Sequence, residues 1–363
     1  MLKRVSWTVL VPPLAVVVLV LTWGQGLGPA VVVLAAVFLI GAVLAAVHHA
    51  EVVAHRVGEP LGSLVLAASV TVIEVALIVE LMASGGNEAA TLARDTVFAA
   101  AMITTNGIAG LSLLLGSQRY GVTLFNAEGS GAALGTLTTL ATLSLVLPSF
   151  TTSQPGREFS PGQLAFAAIA SLLLYLLFVF TQTVRHRDFF LPVRQRGQKR
   201  FLDAGSHGGA PSNRSALGSL VLLVIALVAV VGLAEQESPA LERGVTAAGF
   251  PQTFVGVVIA ALVLLPETLA AMRAARQGRM QISLNLAYGS AMASIGLTIP
   301  AIALASVWLK GPLVLGLGPT QLVLLALTVV VSVLTVVPGR ATRLQGELHL
   351  VVLAAYVFLA ISP

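Results

Sequence analysis

The chain has 363 residues, is 57% hydrophobic and only 10% charged, and its mean hydropathy is +0.95. Soluble domains carry about 25% charged residues, so this composition defines an integral membrane protein. The absence of cysteine excludes disulfides, thiolate metal sites and cysteine nucleophiles. The net charge of +5 follows from the placement of basic loops rather than from an affinity for nucleic acid.

Hydropathy windows of about 19 residues pick out apolar segments of helical length, with none of the alternation of a β-barrel. Eleven are predicted, near 5–24, 28–48, 62–83, 95–116, 129–149, 162–184, 216–234, 251–272, 280–308, 318–337 and 347–362. Lys3 and Arg4 precede the first, as in a signal peptide, but Pro12 and Pro13 interrupt it and no small-residue cleavage site follows, so it reads as a span. At the inner end of the second and third spans stand His48, His49, Glu51 and His55. A histidine such as His55 is a candidate pH sensor, although an interfacial cluster is the commoner outcome. The third span carries Glu74 at its centre and Glu80 roughly 9 Å further along the helix. Glu80 reads as a vestibule acid on the cation or proton path, or as an end residue reaching for water. GGNEAA at Gly85 to Ala90 resembles a permuted cation motif but falls in an outer loop, and Glu128, at the start of the fifth span, is assigned no role.

Arg185 to Arg214 form the longest loop, rich in Gly, Ser, Pro and basic residues. It is expected to be a flexible cytoplasmic linker, either topogenic or lipid-binding. Beyond it, the eighth span holds Glu267 directly after Pro266. The ninth is too long for a straight crossing and contains Gly289, Gly296 and Pro300, which predicts a kink or break there.

With the N-terminus inside and eleven crossings, the inner segments hold 16 of the 20 basic residues. Only Arg94, Arg157, Arg243 and Lys310 lie outside, as the positive-inside rule requires. The predicted fold is therefore all-α and polytopic, with a cytoplasmic N-terminus and an external C-terminus, in the cell (inner) membrane. Its layout is an N-terminal helix (1–26), a five-helix repeat (27–184), the basic linker (185–215) and a second five-helix repeat (216–363). An odd number of spans per repeat inverts one repeat against the other, which brings the segments of Glu74 and Glu267 together near the midplane.

An ionisable group inside hydrocarbon is a functional site by default, and no basic residue lies inside a predicted span to neutralise either glutamate. Glu74 and Glu267 supply hard oxygen ligands suited to Ca²⁺ or alkali cations. Asn106 and Ser290, on the spans that follow them, offer an amide oxygen and a hydroxyl. Both could equally join helices by hydrogen bonds.

Three stretches carry a family resemblance: HRVGEPLGSLVLAASVTVIEVALIV, TLARDTVFAAAMITTNGIAGLSLLLG, and VLLPETLAAMRAARQGRMQISLNLAYGSAMASIGLTIP. Together they resemble the calcium/cation–proton exchangers of the CaCA superfamily, above all the bacterial sodium-potassium/proton and calcium/proton antiporters. The resemblance extends over nearly the whole chain. It implies eleven spans, a first helix outside two inverted repeats, and Glu74 and Glu267 as the site that binds cation and proton in alternation. The family motif Gly-Asn-Ala-x-Glu reads VTVIE and VLLPE here, so Thr71 and Leu264 replace its asparagines and Thr71 enters the site by position. Thr268 replaces the usual histidine, and a basic linker replaces the family's acidic connection. Fewer amide and carbonyl ligands shift the expectation from Ca²⁺ toward monovalent cations.

The expected function is thus a secondary antiporter, not an enzyme, that exports Ca²⁺, Na⁺ or K⁺ in exchange for protons. Its partners are inorganic cations, protons and the lipid bilayer, and no cofactor is called for beyond the transported ions. Burial favours the neutral carboxyl and a bound cation the ionised one, so the two ions compete for the same oxygens. A channel or uniporter is the nearer alternative. A membrane-embedded enzyme is the remoter one, since no span carries an HExxH metal motif or a serine with a basic partner.

Overall fold

The computed structural model describes residues 6–25, 28–58, 61–84, 90–193, 211–251, 254–308 and 311–362. Helices α1 (Trp7–Thr22), α2 (Pro29–Val57) and α3 (Leu61–Ser84) come first. A fourth helical segment, Leu92–Tyr120, consists of α4 (Leu92–Met102), a π-helical turn Ile103–Ile108 and α5 (Ala109–Tyr120). Then follow α6 (Ala127–Ala141), α7 (Pro161–Phe180), α8 (Asn213–Ala247), α9 (Phe254–Val263), α10 (Leu265–Arg276), α11 (Met280–Ala305), α12 (Pro319–Val336) and α13 (Arg343–Ile361). Each predicted segment falls on helix. By length and apolarity, eight helices among the described residues can cross a bilayer, or nine with α9 and α10 taken as one bent span, while α1 is shorter at 16 residues. Most of the linker, the GGNE stretch and Pro363 lie outside the described residues.

Local chemistry sets the helix ends. Ser160 and Gln163 form a reciprocal capping box ahead of Pro161, and the Asn126 side chain accepts from the backbone N–H groups of Glu128 and Gly129 at the start of α6. α2 stops at Gly58, whose φ of 77° suits a residue without Cβ. The break expected in the ninth span lies elsewhere. α11 runs unbroken through Gly289, Gly296 and Pro300, and the preceding span bends by 54° between α9 and α10. Pro266 explains the position of the bend, since it has no N–H to donate to the carbonyl four residues earlier.

Two apolar cores share α9. One joins α1, α2, α3, α8 and α9 with Leu92 of α4; the other joins Ile78 of α3 and α4 to α7 with α9 to α13. Small residues allow the closest approach. A Cβ on Gly346 of α13 would lie 2.7 Å from the backbone nitrogen of Leu114 on α5, so these helices cross at backbone contact. A two-stranded sheet pairs β1 (Thr123–Leu124) with β2 (Arg340–Ala341), with Thr123 opposite Ala341, and ties the α5–α6 turn to the α12–α13 turn. Outward-facing Val20, Val33, Phe166, Leu177, Val323 and Leu334 are each more than half exposed, as side chains facing lipid should be.

Candidate functional site

A cavity with about 230 Å³ of open space lies between α3, α7, the α9–α10 bend and α11. Each helix presents one face to it at helical spacing: Thr71 and Glu74 from α3, and Asn285, Gly289, Ser290 and Ser294 from α11. Tyr175 and Gln182 line it from α7 and the π turn after it, and Leu264 and Glu267 from the bend. The fold therefore gathers Thr71, Glu74, Glu267 and Ser290 around one space, as the sequence predicts.

The two carboxylates are held differently. Glu74 is 3% exposed, and its Oε1 accepts a hydrogen bond of 2.6 Å from the Ser294 hydroxyl. Glu267 stands in the first turn of α10, where the free N–H groups of a helix start favour negative charge. Its Oε2 is buried with no hydrogen-bond partner among the described residues. A buried carboxylate oxygen in that condition costs free energy unless a proton or cation meets it. Thr268 donates its hydroxyl to the Leu264 carbonyl at 2.7 Å, beside the bond of 2.9 Å that its backbone N–H makes to the same oxygen.

The cavity extends from the glutamates toward the end where α7 stops and α11 begins. There Asn285 donates to the Phe190 carbonyl at 2.8 Å and accepts from Gln281 at 2.9 Å, which ties residues 187–190 to this end of the cavity. Arg185, Arg187, Arg273, Arg276 and Arg279 lie at this same end. The oxygens available are carboxylate, hydroxyl and amide, a set for hard cations. Among the described residues, no group of three or more His, Asp or Glu side chains could hold a metal ion.

The other predicted residues lie apart from this cavity. Asn106, fully buried in the π turn, donates to Thr328 at 2.9 Å and meets His349 Nδ1 at 3.0 Å through its Oδ1. His349 meets Thr335 at 3.2 Å through Nε2. Glu80 lines a second cavity at the opposite end of α3, and His55 is exposed on the last turn of α2 and lines neither cavity. His49 is the buried histidine of its cluster, donating to the Thr8 carbonyl at 2.9 Å. Arg94, expected in an outer loop, lies buried in the first turn of α4. It pairs at 2.8 Å with Asp95, whose carboxylate also accepts from Thr91 and Gln321, so this charge neutralises neither cavity glutamate. Sequence reading missed Ser294, Gln182 and Asn285. Ser294 was within reach, because it stands one turn beyond Ser290 on the same helix face.

A helical membrane protein with paired acids in a cavity inside the bundle is the architecture of an ion transporter. The chain belongs to the sodium/calcium exchanger protein family, whose pattern matches residues 27–184 and 218–362. It is 45% identical over 361 residues to the putative ionic transporter y4hA of Sinorhizobium fredii, covering 98% of this chain and 96% of that protein. It is 36% identical over 350 residues to the sodium-potassium/proton antiporter ChaA of Escherichia coli, covering 95% and 93%. The solved structure of YfkE, a Ca²⁺/H⁺ antiporter, superposes with a TM-score of 0.73 at 16% identity over 98% of this chain and 99% of that one, which establishes the fold.

Proposed function

We propose that the protein is a secondary antiporter that exports a cytoplasmic cation in exchange for entering protons, with Glu74 and Glu267 as the shared ligands. The observation that carries this reading is their convergence on one cavity, each drawn from a different half of the chain. Cation binds the ionised carboxylates with help from the hydroxyls of α11. Protons neutralise the same oxygens when the cation leaves, so the two fluxes are coupled by competition. Monovalent Na⁺ and K⁺ are favoured over Ca²⁺. Ca²⁺ takes about 6–8 oxygen ligands, and here no third acid joins the pair among the described residues. ChaA, the named sodium-potassium/proton antiporter, is 36% identical to this chain over 350 residues, whereas YfkE shares the fold at 16% identity.

The same reading takes eleven crossings and two inverted repeats. Helix contacts support this by recurring in exchanged positions: α2 meets α8, α7 meets α11 while α13 meets α5, and α3 meets α11 while α10 meets α5. The basic end of the bundle is then cytoplasmic, and the cavity opens toward it. Single cysteines at Ser212 and Ser362 should be labelled from opposite faces of the membrane; labelling from one face overturns the span count. Function itself is tested in proteoliposomes holding a preset pH gradient, with Na⁺, K⁺ or Ca²⁺ added in turn. Na⁺ or K⁺ should collapse the gradient. Cation flux that is independent of the gradient would make the protein a uniporter instead.

A further inference from the structure

A second cavity, with about 510 Å³ of space, lies between α2, α3, α8 and α9, further along α3 than the first. Its walls are almost wholly apolar, built from Leu39, Leu77, Leu241, Phe254 and their neighbours. Two carboxylates, Glu80 and Glu237, also line it, and none of its described lining residues is basic. Glu237 is 8% exposed, and its Oε1 is buried without a hydrogen-bond partner among the described residues. A buried, acceptor-only oxygen needs a donor, and a buried carboxylate that stays ionised needs positive charge. An inorganic ion alone does not suit the space, because stripping its water would expose it to hydrocarbon walls that offer no further oxygens. A ligand that satisfies both features carries an N–H cation on an apolar body.

We propose that this cavity is a binding site for small amphipathic ammonium ions, with Glu237 accepting from the ammonium group, Glu80 adding negative charge, and the apolar walls holding the hydrocarbon part. The volume falls in the range of about 300–1,000 Å³ that holds drug-sized ligands in largely apolar pockets with a few placed polar groups. This site is separate from the cation cavity and does not depend on the exchange reaction proposed above. The two cavities use opposite parts of α3, Thr71 and Glu74 on one side and Leu77 and Glu80 on the other.

The test is equilibrium binding of radiolabelled 1-adamantylammonium to the full-length protein in lipid nanodiscs, with empty nanodiscs subtracted. Saturable binding with one site per chain is expected. Glu237→Gln, nearly the same shape without the charge, should weaken it at least tenfold. Gly244→Leu should do the same without touching a carboxylate, since a Cβ at Gly244 meets nothing within 4 Å and the longer side chain fills the cavity. Glu74→Gln should leave the affinity within about twofold, by the independence expected of distant sites. Neutral 1-adamantanol should compete at least tenfold more weakly than the ammonium. Four results would overturn the proposal: no saturable binding; binding indifferent to both Glu237→Gln and Gly244→Leu; binding lost in Glu74→Gln, which moves the ligand to the cation cavity; or equal competition by the alcohol, which makes the site a slot for neutral apolar chains. Thermal unfolding of each variant separates lost binding from lost fold.

Discussion

The two cavities share α3 and α9 and hold two carboxylates each, but they differ in what surrounds the acids. Around Glu74 and Glu267 stand serine hydroxyls and the side-chain amides of Asn285 and Gln182. The described residues that line the second cavity beside Glu80 and Glu237 are otherwise apolar. A carboxylate alone does not define a cation site; its neighbours decide what kind of cation can part with water beside it. Oxygen-rich walls replace a hydration shell, whereas apolar walls accept only a charge that brings its own apolar surface.

The largest expected effect is at the acids of the first cavity. Glu74→Gln and Glu267→Gln should each lower cation-driven proton movement at least a hundredfold, to background, while the protein stays folded, because a neutral amide is cheaper in the membrane than a carboxylate. Wild-type exchange in both variants would break the mechanism. Next comes occlusion. A Cβ on Gly289 meets nothing within 4 Å, so Gly289→Leu should fill the cavity and slow exchange about tenfold or more with little change in the thermal midpoint, as an unstrained substitution allows.

A smaller effect is expected at Ser294. Ser294→Ala removes the hydrogen bond to Glu74 Oε1. Hydrogen bonds to charged groups are worth about 1.5–3 kcal/mol, which is on the order of tenfold or more in apparent cation affinity. That loss should grow as pH falls, because the ionised form that binds cation loses its donor while the protonated form gains by comparison. Affinity measured across a pH series decides it, and equal loss at every pH would leave Ser294 a packing residue. Asn106→Ala sharpens the contrast from outside both cavities. It should cost about 1–3 kcal/mol of stability by unpairing Thr328 and His349, seen as a lowered thermal midpoint. Lost exchange at an unchanged midpoint would return Asn106 to the cation ligands.

Much of this was legible beforehand because burying a charge in hydrocarbon leaves a mark that needs no neighbours to read. Glu74 and Glu267 stood out for that reason, and so did their partner Ser290 as a hydroxyl beside small residues. Asn106 looked equivalent to Ser290 on paper. Its π turn instead aims it at Thr328 and His349, a direction that depends on how α13 crosses α5 at Gly110 and Gly346. A break falls in the eighth span rather than the ninth for a related reason. Gly289, Gly296 and Pro300 permit a kink without requiring one, whereas Pro266 forces loss of a ladder bond where Glu267 begins a new helix. Glu237 drew no attention at all, since acids near a span's end are ordinary until packing buries them.

Composition and hydropathy period determined by themselves that this is a helical membrane protein, where its helices lie, and which two acids interrupt the apolar segments, because each of these follows from the cost of placing a backbone or a charge in hydrocarbon. Only the tertiary structure decided which polar side chains share a cavity, that Ser294 rather than Asn106 meets Glu74, and that Glu80 and Glu237 line one apolar cavity. Those outcomes depend on helix rotation and crossing, which are set by many packing contacts between segments far apart in the chain.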